Sequence, residues 1–503
     1  MYKFKMQEID KPRSNCAIFG IYNHPEASVM TYYVLHAQQH RGQEGSGICT
    51  SEYLPDKAKY RFNIHKGHGI ALEVFSDQNI LTGILKGNAA IGHNRYSTTG
   101  ASDSRSNIQP FKVNFKNGFL ALSHNGNFTN TKELRESLQD EGTIFQTTTD
   151  SEILLHLIAR SKEKEMRDKI LEACRKVRGA YSIVLLADDK LFAIKDPYAV
   201  RPLSMGKLGN SFVFASETSA FDIINAEYIR DLDAGEIVEI DKEVIQSGKE
   251  KSYSIAKTSE TKHCIFEYVY FSRPDSTIFN NTVDKVRRKL GKNLSIEKPA
   301  PIAAVEDKKV IVISVPDSSN TATLGFLTES IKTNPYIKLE LALIRSHYIG
   351  RTFIQPGQDK REIKVKAKFN TVKSVLKDRI VVIVDDSIVR GTTAKNLVKL
   401  VREAGPKEIH LRITSPPITS PCHYGMDFPS KNELIANQCS NDLEKIREYL
   451  GADSVEYLSN EKLHDSVPQG VNSAGQKIGY CDACFSGYYP IPIEEIEKTE
   501  FDK

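Results

Sequence analysis

The sequence predicts a protein of mixed class, with a strand-rich α+β first half and an α/β second half built on a parallel sheet. Two textures carry that reading. After residue 309, strand-like and helix-like runs alternate: strands at 309–315, 379–385 and 409–414, helices at 321–331 and 393–403. That order indicates parallel strands joined by helical crossovers. Before residue 250 the pattern is short β-type runs separated by turn residues, as at 17–21, 119–122, 181–186 and 211–215. A polar stretch at 246–262 reads as the linker between the halves.

Composition narrows the class. At 503 residues the chain has room for two or three domains. A hydrophobic content of 40% and a charged content of 26% are ordinary for a globular protein in water. The net charge of +4 is small for this length and gives no case for nucleic acid as a partner. No apolar run is long enough to span a bilayer, so no membrane partner is expected. Residues 1–15 lack the apolar core of a secretory signal. Eight cysteines in so long a chain do not make a disulfide framework, and a reducing, cytoplasmic location is the expectation.

The first half offers scattered polar clusters. Cys16 precedes an apolar strand, and alone it reads as a core residue. His40-Arg41-Gly42-Gln43-Glu44 ends a helical pattern with glycine, and Gly92-His93-Asn94-Arg95-Tyr96-Ser97-Thr98 follows a strand-like run. Ser123-His124-Asn125-Gly126-Asn127 reads as a polar tight turn after a strand. Thr149-Asp150-Ser151-Glu152 reads as a capping box before Ile153-Leu154-Leu155. Taken singly, Asp150 is a helix-start residue and Arg95 a surface cation.

The second half carries the sharpest signal. An apolar run, Val381-Val382-Ile383-Val384, ends in Asp385-Asp386, followed by Ser387-Ile388-Val389-Arg390-Gly391-Thr392-Thr393 and a helical pattern. This is a buried strand, a loop at its carboxyl end and a helix start, the place where open α/β sheets bind ligands. Gly391, the hydroxyls of Thr392 and Thr393 and the helix N-terminus suit a phosphate. The paired carboxylates suit ribose hydroxyls or a partly hydrated Mg²⁺. Cys481 and Cys484 form a CxxC pair with the spacing of a zinc site or a redox dithiol.

These motifs resemble two known families in series. Cys16 with Phe19-Gly20, Gln39-His40-Arg41-Gly42-Gln43, the 92–98 block, His124-Asn125-Gly126-Asn127 and Thr149-Asp150-Ser151-Glu152 are similar to the glutaminase domain of N-terminal-nucleophile amidotransferases. The 384–393 block resembles the signature of type I phosphoribosyltransferases. Both in this order, with supporting blocks at 266–276, 315–319 and 348–356, resemble the amidophosphoribosyltransferase family, which opens de novo purine synthesis. The resemblance runs from Cys16 to about residue 490. It implies an αββα sandwich at 16–250, a phosphoribosyltransferase domain at 264–490 with a cluster-binding C-terminal segment, and a propeptide at 1–15.

The resemblance also implies roles. Cys16 attacks the glutamine amide, with its own α-amine as base once 1–15 is removed. Asn125 and the Gly126 backbone form the oxyanion hole, where one lost donor costs about 3 kcal/mol. Arg95 holds the glutamine carboxylate and Asp150 its ammonium. Asp385, Asp386 and Ser318 belong to the Mg²⁺ and ribose environment of phosphoribosyl pyrophosphate. Ser387, Arg390, Gly391, Thr392 and Thr393 take its 5′-phosphate, and Arg351 and Thr352 lie on a loop that closes over it. In the iron–sulfur branch of the family, cysteines in the contexts of Cys264, Cys422, Cys481 and Cys484 hold a [4Fe–4S] cluster; zinc requires the same thiolates, so spacing alone leaves both open. Cys49, Cys174 and Cys439 match no such role and read as packing residues or free thiols. Ala17 stands where the family usually has glycine. The family also implies a homo-oligomer, often a tetramer, inhibited by purine nucleotides. Two other readings compete: an amidotransferase with a different acceptor, and a non-catalytic sensor of nucleotide or phosphoribosyl pyrophosphate.

Overall fold

The computed structural model describes residues 16–96, 104–116, 118–302, 310–346 and 369–494. The first half is a two-sheet sandwich. Its strands are β1 (Ala17–Tyr22), β2 (Gly45–Leu54), β3 (Lys59–His68), β4 (Ala89–Arg95), β5 (Phe111–Phe115), β6 (Gly118–Phe128), β7 (Gly179–Ala187), β8 (Lys190–Lys195), β9 (Ser204–Leu208), β10 (Ser211–Ala215), β11 (Glu227–Asp231), β12 (Glu236–Ile240) and β13 (Lys251–Ser254). One sheet runs β11-β9-β10-β1-β4-β2-β3 and the other β13-β12-β8-β7-β6-β5.

Side-chain alternation builds four layers from these two sheets. Ile18 and Tyr22 of β1 meet Ala121, Val184 and Leu186 between the sheets. Phe19 and Ile21 turn the other way, onto Val34 and Leu35 of the helix Ala27–Ala37. Leu120 and Leu122 of β6 pack under the helices Ser151–Arg160 and Met166–Lys176. The result is the αββα order that the resemblance implied.

Four local readings change. Residues 123–127 are not a turn: they continue β6 in register with β7, with His124 opposite Ile183 and Gly126 opposite Tyr181. Asp150 does not cap its helix with its side chain. Its Oδ2 instead accepts the Phe128 N–H at 2.8 Å, while Glu152 accepts the N–H groups of Gln146 and Thr147. The helix before Gly42 ends at Ala37, short of the glycine. The stretch 246–262 is only partly a linker, because β13 pairs with β12 and extends the sandwich past the expected boundary at 250.

The second half holds a five-stranded parallel sheet. Its spatial order is Lys338–Leu339, Val310–Ser314, Ile380–Asp385, Glu408–Ile413 and Ser454–Tyr457. Val382 and Val384 face one way, toward Leu290 and Phe326. Val381 and Ile383 face the other, toward Leu397 and Val401. Both faces are covered, which explains the unbroken apolar runs.

A fully buried charge network joins the halves. Arg41 pairs with Glu217 and, at 2.6 Å, with Glu267, and Arg201 Nη1 lies 3.4 Å from Glu267; all four side chains have no exposed surface. Two positive and two negative groups balance locally, so neither domain can withdraw without stranding a charge.

Two histidines are buried in neutral form. His93 Nε2 donates to the His124 carbonyl at 3.1 Å and His263 Nδ1 to the Ala199 carbonyl at 2.9 Å. Burial pushes each down to about 3. The folded value lies below the unfolded one of about 6.5, so the unfolded chain binds the extra proton and stability falls as pH drops below 6.5. By pH 5 each histidine costs about 2 kcal/mol. His263→Gln should therefore shrink the pH 7-to-5 loss in denaturant stability by about that amount. An unchanged pH dependence in that variant would contradict the assignment.

Candidate active sites and the cysteine cavity

The first site gathers at the ends of β1, β4 and β6. Cys16 is 7% exposed, and its Sγ lies 3.4 Å from the Tyr96 carbonyl. Burial raises its thiol to about 11; Arg95 opposes that rise, while Glu44 and Asp150 add to it. Cys16, Arg95 and Asp150 are thus close enough to feel one another. Arg95 ends β4, whose Asn94 stands opposite Ala17 of β1. Asn125 is fully buried, and neither its Oδ1 nor its Nδ2 has a hydrogen-bond partner among the described residues. A buried amide left open in this way is costly unless a ligand meets it. Gly126 takes φ +151, and a Cβ there would lie 2.0 Å from the Ala180 carbonyl oxygen.

Asp150 is positioned rather than merely present. Its Oδ1 accepts from Ser151 Oγ at 3.2 Å, and Ser151 Oγ sits 2.8 Å from His124 Nδ1. Because the hydroxyl donates to the carboxylate, the imidazole Nδ1–H donates to the hydroxyl. Burial also lowers the His124 pKa, and the Asp150 carboxylate opposes that shift.

The second site lies at the carboxyl end of the parallel sheet. Asp386 Oδ2 accepts from Ser318 Oγ at 2.5 Å and Asp386 Oδ1 from Ser387 Oγ at 2.7 Å. Asp385 Oδ1 accepts from Ser319 Oγ at 3.0 Å. Gly391, at φ +80, caps the helix Thr392–Arg402, so the N-terminal N–H groups of that helix open onto the 387–391 loop. Arg390 pairs with Glu433 at 3.2 Å, Thr392 is exposed and Thr393 half-buried. Arg351 and Thr352 lie outside the described residues. The sequence reading missed Ser319, which sat inside the 315–319 block, and Arg287. The Arg287 guanidinium is 2% exposed and donates to the carbonyls of Tyr268 and Ser272, with Nη1 3.5 Å from that of Ser318. Nothing local in the sequence marks a helical arginine for that task.

The four marked cysteines converge. Cys264, Cys422, Cys481 and Cys484 line one cavity with Phe266 and Tyr489. Cys264 and Cys481 are opposite one another in a two-strand parallel pair. The Thr419 and Ser420 N–H groups donate to the Cys484 carbonyl at 3.0 and 3.1 Å. Tyr424 N–H donates to Cys422 Sγ at 3.3 Å. Burial drives the Cys264 thiol up to about 12 and those of Cys481 and Cys484 well above the ordinary range, with the neighbouring thiols adding to the rise. Among the described residues no group of three or more His, Cys, Asp or Glu is arranged to hold a metal ion. Cys49 and Cys174 are buried in cores of their own, and Cys439 packs partly buried at the edge of the parallel-sheet core.

A buried cysteine and an open amide in one sandwich, in one chain with paired carboxylates and a glycine-capped helix start on a parallel sheet, fit a glutamine amidotransferase joined to a phosphoribosyltransferase. Residues 93–222 match the model of the glutamine amidotransferase domain. The chain is 44% identical to amidophosphoribosyltransferase 1 of Arabidopsis thaliana over 98% of its own length and 81% of that protein's. It is 41% identical to the amidophosphoribosyltransferase of Bacillus subtilis over 97% and 96% of the two chains. The solved B. subtilis glutamine phosphoribosylpyrophosphate amidotransferase complexed with ADP and GMP superposes with a TM-score of 0.85 at 40% identity, covering 97% of this chain and all of that one. The chain belongs to the amidophosphoribosyltransferase family. It catalyses glutamine-dependent transfer of ammonia to C1 of 5-phosphoribosyl 1-pyrophosphate, giving 5-phosphoribosylamine, pyrophosphate and glutamate, the first step of de novo purine synthesis. This sets aside the different acceptor and the non-catalytic sensor.

Proposed function

We propose that the two sites divide the reaction as follows. Cys16 Sγ attacks the glutamine amide carbon, with the Cys16 α-amine as base. Asn125 Nδ2 and the Gly126 N–H stabilise the oxyanion, Arg95 takes the α-carboxylate, and Asp150 takes the α-ammonium. The observation that carries this reading is the buried, unpartnered Asn125 amide. This chemistry requires processing after residue 15, because in the unprocessed chain the Cys16 nitrogen is a peptide amide and cannot serve as base.

In the transferase site, Asp385 and Asp386 bind the ribose and Mg²⁺, with Ser318 beside them, and 387–393 bind the 5′-phosphate. Two carboxylates fit Mg²⁺ better than a full protein cage, because this ion keeps waters and substrate phosphates in its shell. Mg²⁺ when bound would neutralise charge on the departing pyrophosphate. Arg351 and Thr352, outside the described residues, belong to the substrate-binding set by the family resemblance.

The four cysteines hold a [4Fe–4S] cluster. Their donor chemistry fits: four thiols, an N–H donor to Cys422 sulfur and an apolar lining. Purine nucleotides as inhibitors are supported by the ADP and GMP in the B. subtilis structure. A homo-oligomer, as a tetramer, follows from the family resemblance. No helix among the described residues is long and apolar enough to cross a membrane. A cytoplasmic location is supported by all eight cysteines being free, which suits a reducing compartment.

One experiment tests processing and metal together: intact mass, N-terminal sequence and elemental analysis of anaerobically purified protein. The expected result is a chain beginning at Cys16 with about four irons and four sulfides. Cys481→Ser should give insoluble or unstable protein, because the cluster ties three distant segments. Stoichiometric zinc without iron would overturn the cluster and leave both active sites standing.

A further inference from the structure

The loop 422–425 of the transferase half presses on the strand that carries Asn125 and Gly126. A Cβ on Gly425 would lie 2.8 Å from the Gly126 Cα and carbonyl carbon and 3.0 Å from its carbonyl oxygen. Each residue of the contact is fixed. Asn127 Nδ2 donates to the His423 carbonyl at 3.0 Å. Arg201 Nε and Nη2 donate to the Tyr424 carbonyl at 2.9 and 2.6 Å. The Tyr424 hydroxyl donates to the Ile491 carbonyl at 2.5 Å and accepts the Ile491 N–H at 2.9 Å.

The strand needs such support. β5 pairs with β6 only at 118–122, whereas β7 pairs with it along 120–128. Over 123–128, β6 therefore has a strand partner on the β7 side alone among the described residues. On that side Gly126 meets the Ala180 carbonyl. On another it meets Gly425. Backbone from two different domains therefore packs on Gly126.

We propose that Gly425 is a positioning residue for glutamine hydrolysis: the 423–425 loop fixes the Gly126 Cα and carbonyl, and through them the direction of the Gly126 N–H on the preceding peptide, so that it meets the oxyanion. The inference rests on reading Asn125 and Gly126 as the oxyanion hole. It assigns to the transferase half a part in the glutaminase site, and it does not depend on what the four cysteines hold. Only a hydrogen at Gly425 allows the approach, and its φ of +98 is one that other residues rarely adopt. A misaimed donor weakens the transition state more than substrate binding, since the oxyanion exists only in the former.

The test uses the whole purified protein, processed to begin at Cys16. Gly425→Ala should lower kcat for glutamine hydrolysis at least about tenfold, with KM for glutamine held within about twofold, the pattern of a transition-state interaction. Synthesis from added ammonia should be unchanged. Asn127→Ala, which removes the bond to His423 without adding bulk, should show the same split to a smaller degree. If Gly425→Ala fails to fold, losing ammonia-dependent synthesis as well, Asn127→Ala decides. Full kcat in the folded variants, or a change confined to KM, overturns the proposal. Asn125→Ala run alongside separates the two ideas: full glutaminase activity in that variant sinks the oxyanion hole itself, whereas its loss with full activity in the loop variants sinks only the role of Gly425.

Discussion

Cys16→Ala abolishes glutamine-dependent synthesis, by at least about 10⁴-fold, and leaves synthesis from added ammonia at its full rate. The size follows from removing the nucleophile of a covalent mechanism, where the other residues recover little of the loss. The selectivity follows from architecture. Cys16 belongs to the sandwich and Asp385 to the parallel sheet, and ammonia from solution reaches the second site without the first. Methyl for thiol is also a mild change in a buried position, so the fold is retained. The measurement is the initial rate with glutamine and with ammonium salt on the same preparation. Loss of both rates would mean that Cys16 supports the structure rather than the chemistry.

Asp386→Asn is expected to divide the activities the other way. Synthesis should fall by about 10²–10³-fold with either nitrogen source, while basal glutaminase activity largely survives. Asparagine preserves shape: its Oδ1 can accept from one of Ser318 and Ser387 while its Nδ2 donates to the other, whose hydroxyl rotates, so the loop keeps its course. What disappears is a negative charge that is 1% exposed and that we assign to the Mg²⁺ and ribose environment. Unchanged synthesis would remove the carboxylate from that role.

The sequence exposed some parts of this protein and hid others, for physical reasons. The three central parallel strands were legible to within a residue or two because β-branched runs buried on both faces admit few alternatives, the expected strand at 379–385 being Ile380–Asp385, whereas the short edge strands Lys338–Leu339 and Ser454–Tyr457 were not named. The polar run at 123–127 misled because His, Asn and Gly ordinarily mark a turn. Here the strand carries them, and the site overrides the local preference. The same holds for 149–152, where the carboxylates serve β6 and the 146–147 backbone rather than a cap. The stretch 246–262 looked like a linker because an exposed edge strand needs no apolar alternation. Of the four cysteines, only Cys481 and Cys484 are neighbours in sequence. Cys264 and Cys422 reach them through tertiary packing, which periodicity does not register. Ser319 and Arg287 belong to the same class.

The pairing of residues 263–264 with 480–481 carries a consequence for biogenesis. Thr261 and Gly479 bond across 218 positions of chain, so this contact closes one of the longest loops in the molecule. Such contacts form late, after local structure has paid the entropy of chain closure. During synthesis the sandwich and the strands through Tyr457 can be assembled while the tail is still inside the ribosome. The cysteine cavity has only half its sulfurs at that stage. Any metal group must be loaded onto a finished chain, and a translation product ending before Cys481 would leave Cys264 and Cys422 as an exposed, incomplete pair. Release of the last residues from the ribosome is therefore the step that commits this polypeptide to its mature state.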